Sequence, residues 1–292
     1  MVKEFKTIDE QLNILCDRGL TVFDREKAKD FLLHNNYYRV SGFSLTLRDH
    51  DKFFDNAQFQ NIIDIYNFDY ELRHILLKYI EKIEVSFKSI YSYFFSKQYG
   101  PLGYKDSCNF TAFDEYLVII NKSMDQLQKR LSHEAYLKHF IEDLHEEVPL
   151  WAYIELFTIS DISKLYKISH SQLKIDIANE FGLSVNGGYE ILEKYMHGMT
   201  IIRNLCAHNS RLYNRLFITK PSLNSKEKKL LNTDSEGIKD NAHLFGYIIN
   251  MRRLLKREDF VNLKLEISEL TIKYPFVDLK YYGFNPDWNN IL

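Results

Sequence analysis

Cysteine, proline and glycine are scarce in this chain of 292 residues, which contains 3 Cys, 5 Pro and 11 Gly. Few prolines and glycines argue against a turn-rich all-β fold and favour helices. The cysteines, Cys16, Cys108 and Cys206, lie far apart and form no C-x-x-C pair, so neither a disulfide framework nor a structural zinc site is expected. The cysteines fit a protein of a reducing compartment, and we expect neither a bound metal nor a cofactor.

Long apolar stretches are missing as well, although hydrophobic residues make up 45% of the chain and can form a sizeable core. No uninterrupted apolar run approaches the roughly 20 residues of a transmembrane helix. The N-terminal sequence MVKEFKTIDE carries charges where a signal peptide needs an apolar segment. We therefore expect a cytoplasmic protein without a membrane partner.

Charge is unevenly distributed along the chain, although the net charge is only −2 at pH 7. Residues 200–257 contain 12 Lys and Arg against 4 Asp and Glu, a local net charge of +8, and the rest of the chain is acidic. Such a basic segment favours an anionic partner such as nucleic acid. Uneven surface charge without a function explains the same asymmetry until the individual residues are examined.

Apolar residues recur at helical spacing along most of the chain, which predicts an all-α fold. The longest periodic run covers residues 57–98 without a proline and predicts one very long helix or two with a break. The stretch YYRVSGFSLTLRD, residues 37–49, has an extended or irregular pattern instead. We predict an N-terminal segment over residues 1–56, a helical core over 57–220 and a C-terminal helical extension over 221–292.

Capping residues mark several helix ends. Thr7 followed by Glu10 has the pattern of a capping box. Asp24 is a candidate N-cap of the next helix, and Gly19 is a candidate stop between the two. Pro149 suits the first turn of a further helix, where its missing N–H has no intrahelical partner.

The stretch IIRNLCAHNSRLYNR, residues 201–215, is rich in polar side chains, with three arginines, three asparagines and one histidine. If its helix continues to Leu216 at about 100° per residue, polar and apolar side chains occupy opposite arcs. The polar arc then holds Arg203, Asn204, His208, Arg211, Asn214 and Arg215. Only Asn209 falls on the apolar side, which we expect to belong to the core.

A cationic face with one histidine suits phosphate chemistry. The planar fork of arginine matches phosphate oxygens, and histidine accepts or donates protons near neutral pH. Arg203 and His208 are the candidate catalytic residues, and Asn204, one turn before His208, is placed to hydrogen-bond its ring. RNA supplies its own 2′-hydroxyl nucleophile, so metal-free cleavage would leave a 2′,3′-cyclic phosphate and a 5′-hydroxyl. The alternative is a solvated basic face, because the spacing R-x-x-x-x-H is common by chance.

Several ordered elements resemble the abortive-infection Abi-D/Abi-F-like family of bacterial phage-defence proteins, over about residues 7–217. NNYYRVSGF (35–43) resembles the family's N-terminal element, and YNFDYELRHILLKYIEKIEVSFKS (66–89) resembles its F-D-x-x-L-R helix and the I-E-x-I-E-V that follows. YGPLGY, NF, PLWAYIEL and SKLY come next in the family's order, before RNLCAHNSRLYNR. The chain departs from the family pattern at Ile159 and Ser160, where F-G is usual, and at Tyr213, where tryptophan is usual.

This resemblance implies a HEPN-like helical bundle with the R-x-x-x-x-H motif of many ribonucleases. Arg203 and His208 then take the catalytic positions, and Asn204 takes the polar position after the arginine. The residues that match the family's R-L-x-N-R extension, and are expected to bind RNA, are Arg211, Asn214 and Arg215. Because each chain has one motif, the resemblance also implies a homodimer with the two motifs facing each other across a shared cleft.

Three further arginines have two interpretations each. Arg39, in NYYRVSGF, contacts RNA or a partner, or forms a structural pair with a buried carboxylate such as Asp69 or Glu84, and we favour the pair. Arg252 and Arg253, in MRRLLKR, extend the expected RNA-binding groove or belong to solvated helix surface.

Three functions compete on this sequence. The first is a metal-independent endoribonuclease of phage defence that acts as a homodimer and is toxic when active, so that an inhibitor such as a small RNA, or a phage trigger, must control it. The second is a non-catalytic RNA-binding module, associated with a small RNA, in which His208 is structural. The third is a defence regulator that acts only through protein–protein contacts.

Overall fold

A computed structural model describes residues 4–233 and 239–292, and it confirms the all-α fold. These residues form thirteen α-helices and one short hairpin of β1 (Arg48–Asp49) and β2 (Lys52–Phe53), with turns of 3₁₀-helix between several of them. The helices, in chain order, are α1 (Ile8–Asp17), α2 (Arg25–Asn35), α3 (Tyr37–Phe43), α4 (Phe59–Tyr99), α5 (Phe113–Arg130), α6 (Ala135–Lys138), α7 (Leu150–Tyr153), α8 (Ile159–Ile168), α9 (Ser171–Glu180), α10 (Gly188–Ala207), α11 (Phe245–Leu254), α12 (Arg257–Lys273) and α13 (Trp288–Ile291).

Helix α4 is the central element of the fold. It is a single helix of 41 residues, about 60 Å long at 1.5 Å per residue. No proline or glycine interrupts it, and it ends where Gly100 adopts a positive φ of 80° and Pro101 follows. Its apolar residues pack against α3, α7, α9, α10 and α12. Of the two predictions for this run, one unbroken helix is therefore correct.

Helix ends with local capping signals lie where the sequence places them. Thr7 and Glu10 form both bonds of a capping box at the start of α1. Gly19, with a φ of 96°, follows the end of α1, and the Asp24 side chain accepts from the N–H of Lys27 at the start of α2. These predictions are confirmed because each bond joins residues within about one helical turn.

The prediction of an extended or irregular segment over residues 37–49 is wrong for its first half. Residues 37–43 form α3, whose N-cap Asn36 accepts a hydrogen bond from the N–H of Tyr38 at 2.9 Å. Val40 and Phe43 are buried beneath it. Packing of this short helix against α4 outweighs the extended preference of its aromatic and β-branched residues.

One continuous cluster of buried apolar side chains extends from Leu12 to Trp288 and joins the N-terminal, central and C-terminal parts. The boundaries proposed at residues 56 and 220 stay predictions.

Helix α10 approaches α11 closely at Gly198, where a Cβ atom would lie 2.9 Å from the ring of Tyr247. Among the described helices, none combines the length and the apolar character needed to cross a bilayer.

Candidate functional site

Helix α10 ends inside the polar stretch, at Ala207, and His208 is its C-cap. Asn209 adopts a left-handed conformation with a φ of 54°. The N–H groups of Asn209 and Ser210 donate to carbonyl oxygens one turn back in the helix, at 3.2 and 2.8 Å, which is the bond pattern of a Schellman cap. The prediction that this helix continues to Leu216 is therefore wrong.

The residue that ends the helix is the one that broke the helical pattern. Asn209 was the single polar residue on the apolar arc, and asparagine enters the left-handed region more readily than most residues. Beyond Asn209 the predicted polar and apolar helix faces no longer apply, because Leu216, which was expected on the core side, is 69% exposed. Leu212 and Tyr213 are buried as expected, but they are buried in a loop.

The loop that follows α10 is held by a buried carboxylate of α4. Asp69 is fully buried, and its Oδ1 accepts from the backbone N–H groups of Leu212 and Tyr213 at 3.0 and 2.7 Å. The hydroxyl of Tyr282 donates to the same oxygen at 3.2 Å. One carboxyl group therefore connects α4, the loop after His208 and the C-terminal part of the chain.

Arg73, one turn further along α4, completes this support. Its Nη1 donates to Asp69 Oδ2 at 3.2 Å and to the carbonyl oxygens of Asn209 and Ser210 at 3.2 and 3.3 Å. The arginine is 1% exposed. Asp69 and Arg73 thus bind the N–H and C=O groups of the turn that the helix end leaves unpaired.

Asp69 was predicted only as a partner of Arg39, and no role was predicted for Arg73. The signal was present, because an acid and a base four residues apart lie on the same face of a helix as the buried Phe68, Leu72 and Leu76. Charged residues on a buried face need partners. The sequence did not show that Asp69 and Arg73 would bind the backbone groups of residues 209–213.

Asp69 makes the stability of the protein depend on pH. Burial raises the pKa of its carboxyl from 3.8 to about 6, although Arg73 and the backbone donors oppose the rise. The folded chain then holds this proton more tightly than the unfolded chain, so stability is lost as the pH rises from about 4 to about 6. Relative to Asp69→Asn, which cannot titrate, the unfolding free energy of the wild type should fall by about 2 kcal/mol between pH 4 and 7. Urea unfolding measures this difference, and a flat or rising difference would contradict it.

The three candidate catalytic residues lie at the end of α10. Arg203 and Asn204 are half-buried and His208 is exposed. The Oδ1 of Asn204 accepts from Arg203 Nη1 at 3.3 Å, while its link to His208 is the backbone bond of 3.0 Å from the His208 N–H. Within the described chain no group hydrogen-bonds the imidazole, which leaves it open to a ligand.

The expected RNA-binding residues of the loop do not share a helix face with the candidate catalytic residues. Arg211 is half-buried; its Nη1 donates to the carbonyl of Tyr213 at 2.7 Å, and its side chain lies against Gly42 of α3. Burial lowers its pKa. Asn214 has a φ of 48°, and its backbone N–H donates to the carbonyl oxygen of Tyr281 at 2.9 Å. Arg215 Nη1 donates to the Arg211 carbonyl at 3.4 Å.

The other proposed arginines occupy different surroundings. Arg252 and Arg253 are exposed near the end of α11, and Arg253 Nε lies 3.5 Å from the carboxylate of Glu227. Whether they contact RNA stays a prediction. The favoured pairing of Arg39 is wrong, because Asp69 pairs with Arg73 and the carboxylate of Glu84 lies 3.0 Å from Lys88.

The C-terminal part of the chain closes the loop on its other side. The carbonyl of Tyr281 accepts the N–H of Asn214 at 2.9 Å, and the carbonyl of Ala242 accepts the N–H of Phe217 at 2.7 Å. From the N-terminal part, the Thr46 hydroxyl lies 2.5 Å from that of Tyr213. Segments from three regions of the chain therefore determine the position of this loop.

The cysteine within the motif is unsuited to nucleophilic chemistry. Cys206 is buried, and burial raises the pKa of its thiol to about 12. A thiol with so high a pKa carries almost no thiolate at neutral pH. The groups available for chemistry at the end of α10 are therefore the guanidinium of Arg203 and the imidazole of His208.

The family comparison agrees with the resemblance seen in the sequence. A family model described as Abi-like protein matches residues 30–214, which is more than half of the chain and runs from α2 through the loop after α10. Neither a curated protein nor a solved structure matches the chain.

Proposed function

Because the chain belongs to the Abi-like protein family, we propose that it is a bacterial phage-defence protein that acts in abortive infection by cleaving RNA. The family supports the defence role, and the site supports the reaction. The observation that carries the reaction is the exposed imidazole of His208, without a described hydrogen-bond partner, on a helix end fixed by Asp69 and Arg73.

The proposed reaction is attack of the RNA 2′-hydroxyl on its own neighbouring phosphate. The 2′-oxygen forms a bond to phosphorus and releases its proton to a base, while the bond to the 5′-oxygen breaks and this oxygen takes up a proton. Histidine suits both proton transfers. Arg203 suits the negative charge that develops on the phosphate oxygens. The products are a 2′,3′-cyclic phosphate and a 5′-hydroxyl, and no step needs a metal.

A homodimer fits this chemistry better than one chain alone. The reaction moves two protons, and each chain has one motif with one histidine. Within the described residues no hydrogen bond joins Arg203 and His208. A second copy facing the first would bring further cationic and proton-transferring groups to the substrate. Leu216 and Ile218, 69% exposed and wholly exposed just after the motif, are the side chains that such an interface would cover.

The test uses the purified chain with an RNA oligonucleotide in excess EDTA. Attack by the 2′-hydroxyl predicts metal-free cleavage and 2′,3′-cyclic phosphate ends, identified by mass spectrometry. A single 2′-deoxy substitution should abolish cleavage only after the altered nucleotide, because the nucleophile is then missing. DNA of the same sequence should stay intact.

Three results would contradict parts of this proposal. Cleavage after a 2′-deoxy nucleotide would exclude the 2′-hydroxyl as nucleophile. RNA bound but uncut would favour the non-catalytic RNA-binding module, in which the same arginines hold the strand. A monomer in sedimentation velocity runs at micromolar concentration would contradict the homodimer.

A further inference from the structure

A cleft of about 460 Å³ opens beside the end of α10, on the side of α2, α3 and α4. It is lined by Leu33, His34, Asn35, Asn36, Arg39, Tyr66, Tyr70, Arg73 and Asn209. Its volume lies in the range of ligand-binding pockets, roughly 300–1,000 Å³. Asn209 directly follows His208 in the chain, so the cleft borders the proposed reaction site. We call it the Arg39 cleft.

The lining of the Arg39 cleft suits an anion. It contains two arginines, a histidine and no acidic residue. Arg73 is paired with Asp69, and His34 Nδ1 lies 3.3 Å from the carboxylate of Asp30. Arg39 is half-buried, and within the described chain no carboxylate lies at ion-pair distance from it. Its Nε donates to the hydroxyl of Tyr66 at 3.3 Å, which orients the guanidinium without neutralising it.

Arg73 adds donors that the fold does not use. Its Nη1 makes all of its described hydrogen bonds, whereas its buried Nε and Nη2 have no partner in residues 4–233 and 239–292. A buried guanidinium with unpaired N–H groups is costly unless a ligand or solvent binds it. Asp69 offsets the charge of Arg73, so Arg73 contributes unpaired N–H donors at the wall of the cleft, and the positive charge that no described carboxylate offsets is that of Arg39.

An aromatic ring suited to stacking lies on the same wall. Tyr70 is 46% exposed. The ring of His74 packs against it with a centroid distance of 4.3 Å, and the guanidinium of Arg73 lies 5.9 Å from its centroid. These contacts hold the ring in place while nearly half of the residue stays accessible. Exposed aromatic rings beside cationic groups are how proteins bind single-stranded nucleic acid.

We propose that the Arg39 cleft binds one nucleotide of single-stranded RNA next to the nucleotide cut at His208, with its phosphate at Arg39 and its base stacked on Tyr70. This inference rests on the RNA-cleaving function proposed above and identifies where the strand is held. Arg39 binds the phosphate as a charged donor. Tyr70 contributes stacking, which does not depend on the identity of the base.

The test measures binding of a fluorescein-labelled uridine 12-mer by fluorescence anisotropy, with His208→Ala as the parent so that no RNA is cut. Arg39→Gln should weaken binding about tenfold and lower the slope of log Kd against log salt by about 0.7, because one phosphate contact is lost. Tyr70→Leu should weaken binding about tenfold and leave that slope unchanged, since stacking releases no counterions. Tyr70→Phe should bind like the parent.

Two matched controls separate the cleft from general surface effects. Lys129→Gln removes one positive charge from the exposed face of α5, and Tyr93→Leu removes a 63% exposed tyrosine further along α4. Both should bind RNA like the parent. Unfolding midpoints close to that of the parent would show that each variant is folded. If Arg39→Gln does not fold, Tyr70→Leu still tests the cleft, because it replaces an exposed side chain.

The outcomes distinguish this inference from the proposed function. If the parent binds RNA and the cleft variants bind it as tightly as the controls do, the Arg39 cleft is not a nucleotide site, and the proposed function is unaffected. A parent that binds no RNA would overturn RNA recognition altogether. Equal losses in the cleft variants and the controls would show a diffuse electrostatic surface in place of a nucleotide site.

Discussion

Replacing His208 by alanine should lower the rate of RNA cleavage by about 10²–10⁴-fold, the usual contribution of a general acid–base group, while RNA binding is retained. The side chain is exposed and lacks a described hydrogen-bond partner, so its removal leaves neither a cavity nor an orphaned polar group. The unfolding free energy should therefore stay within about 0.5 kcal/mol of the wild type. Cleavage rates at saturating enzyme, anisotropy and urea unfolding measure the three quantities.

His197→Ala is the matched control for this prediction. His197 is also exposed on α10, roughly 16 Å before His208 along the helix axis. We expect this variant to cleave RNA at the wild-type rate. If His208→Ala cleaves RNA at the wild-type rate, the histidine takes no part in the reaction. If the variant unfolds, the result favours a structural role for His208.

Replacing Asp69 by alanine should destabilise the fold by about 3–5 kcal/mol at pH 7, because it breaks a buried ion pair and leaves Arg73 as an uncompensated charge. The N–H groups of Leu212 and Tyr213 lose their acceptor at the same time. At a temperature where the variant remains folded, cleavage should fall as well, since the loop that fixes His208 is released. Urea unfolding and cleavage rates measure the two effects.

Glu71→Ala is the control for Asp69→Ala. Glu71 lies two residues further along α4 and makes an ion pair of 2.8 Å with the exposed Lys273 and a hydrogen bond of 2.6 Å with Tyr274. A partly exposed pair of this kind contributes only about 1 kcal/mol. Equal effects of the two substitutions would mean that Asp69 has no special role in holding the loop.

Helix starts with local caps could be predicted from the sequence because the contacts that define them are local. The Thr7 side chain reaches a residue three positions away, and the apolar spacing of residues 59–99 defines a buried helix face by itself. The segment 37–43 was mispredicted for the opposite reason. Its helix depends on burial of Val40 and Phe43 against α4, which no window of neighbouring residues reveals.

In the candidate site too, local features could be predicted from the sequence and long-range contacts could not. Arg203 and His208 were identified from their spacing and from the family resemblance. The loop after them was not, because the bonds that hold it join residues far apart in sequence: 143 positions separate Asp69 from Leu212, and 213 separate it from Tyr282. Asn209 carried the local signal that α10 ends, and its position on the apolar arc could have been interpreted as a helix cap.

The sequence by itself determined the all-α class, the locally capped helices, the ordered elements of the Abi-like family and the positions of Arg203 and His208 in the chain. These depend on composition, periodicity and short-range hydrogen bonds. Only the tertiary structure decided that Asp69 and Arg73 hold the loop after α10 and that Arg39 lines a cleft without pairing to a carboxylate. A carboxylate or guanidinium can pair with many groups, and the packing of α4 against the rest of the chain selects which of them it reaches.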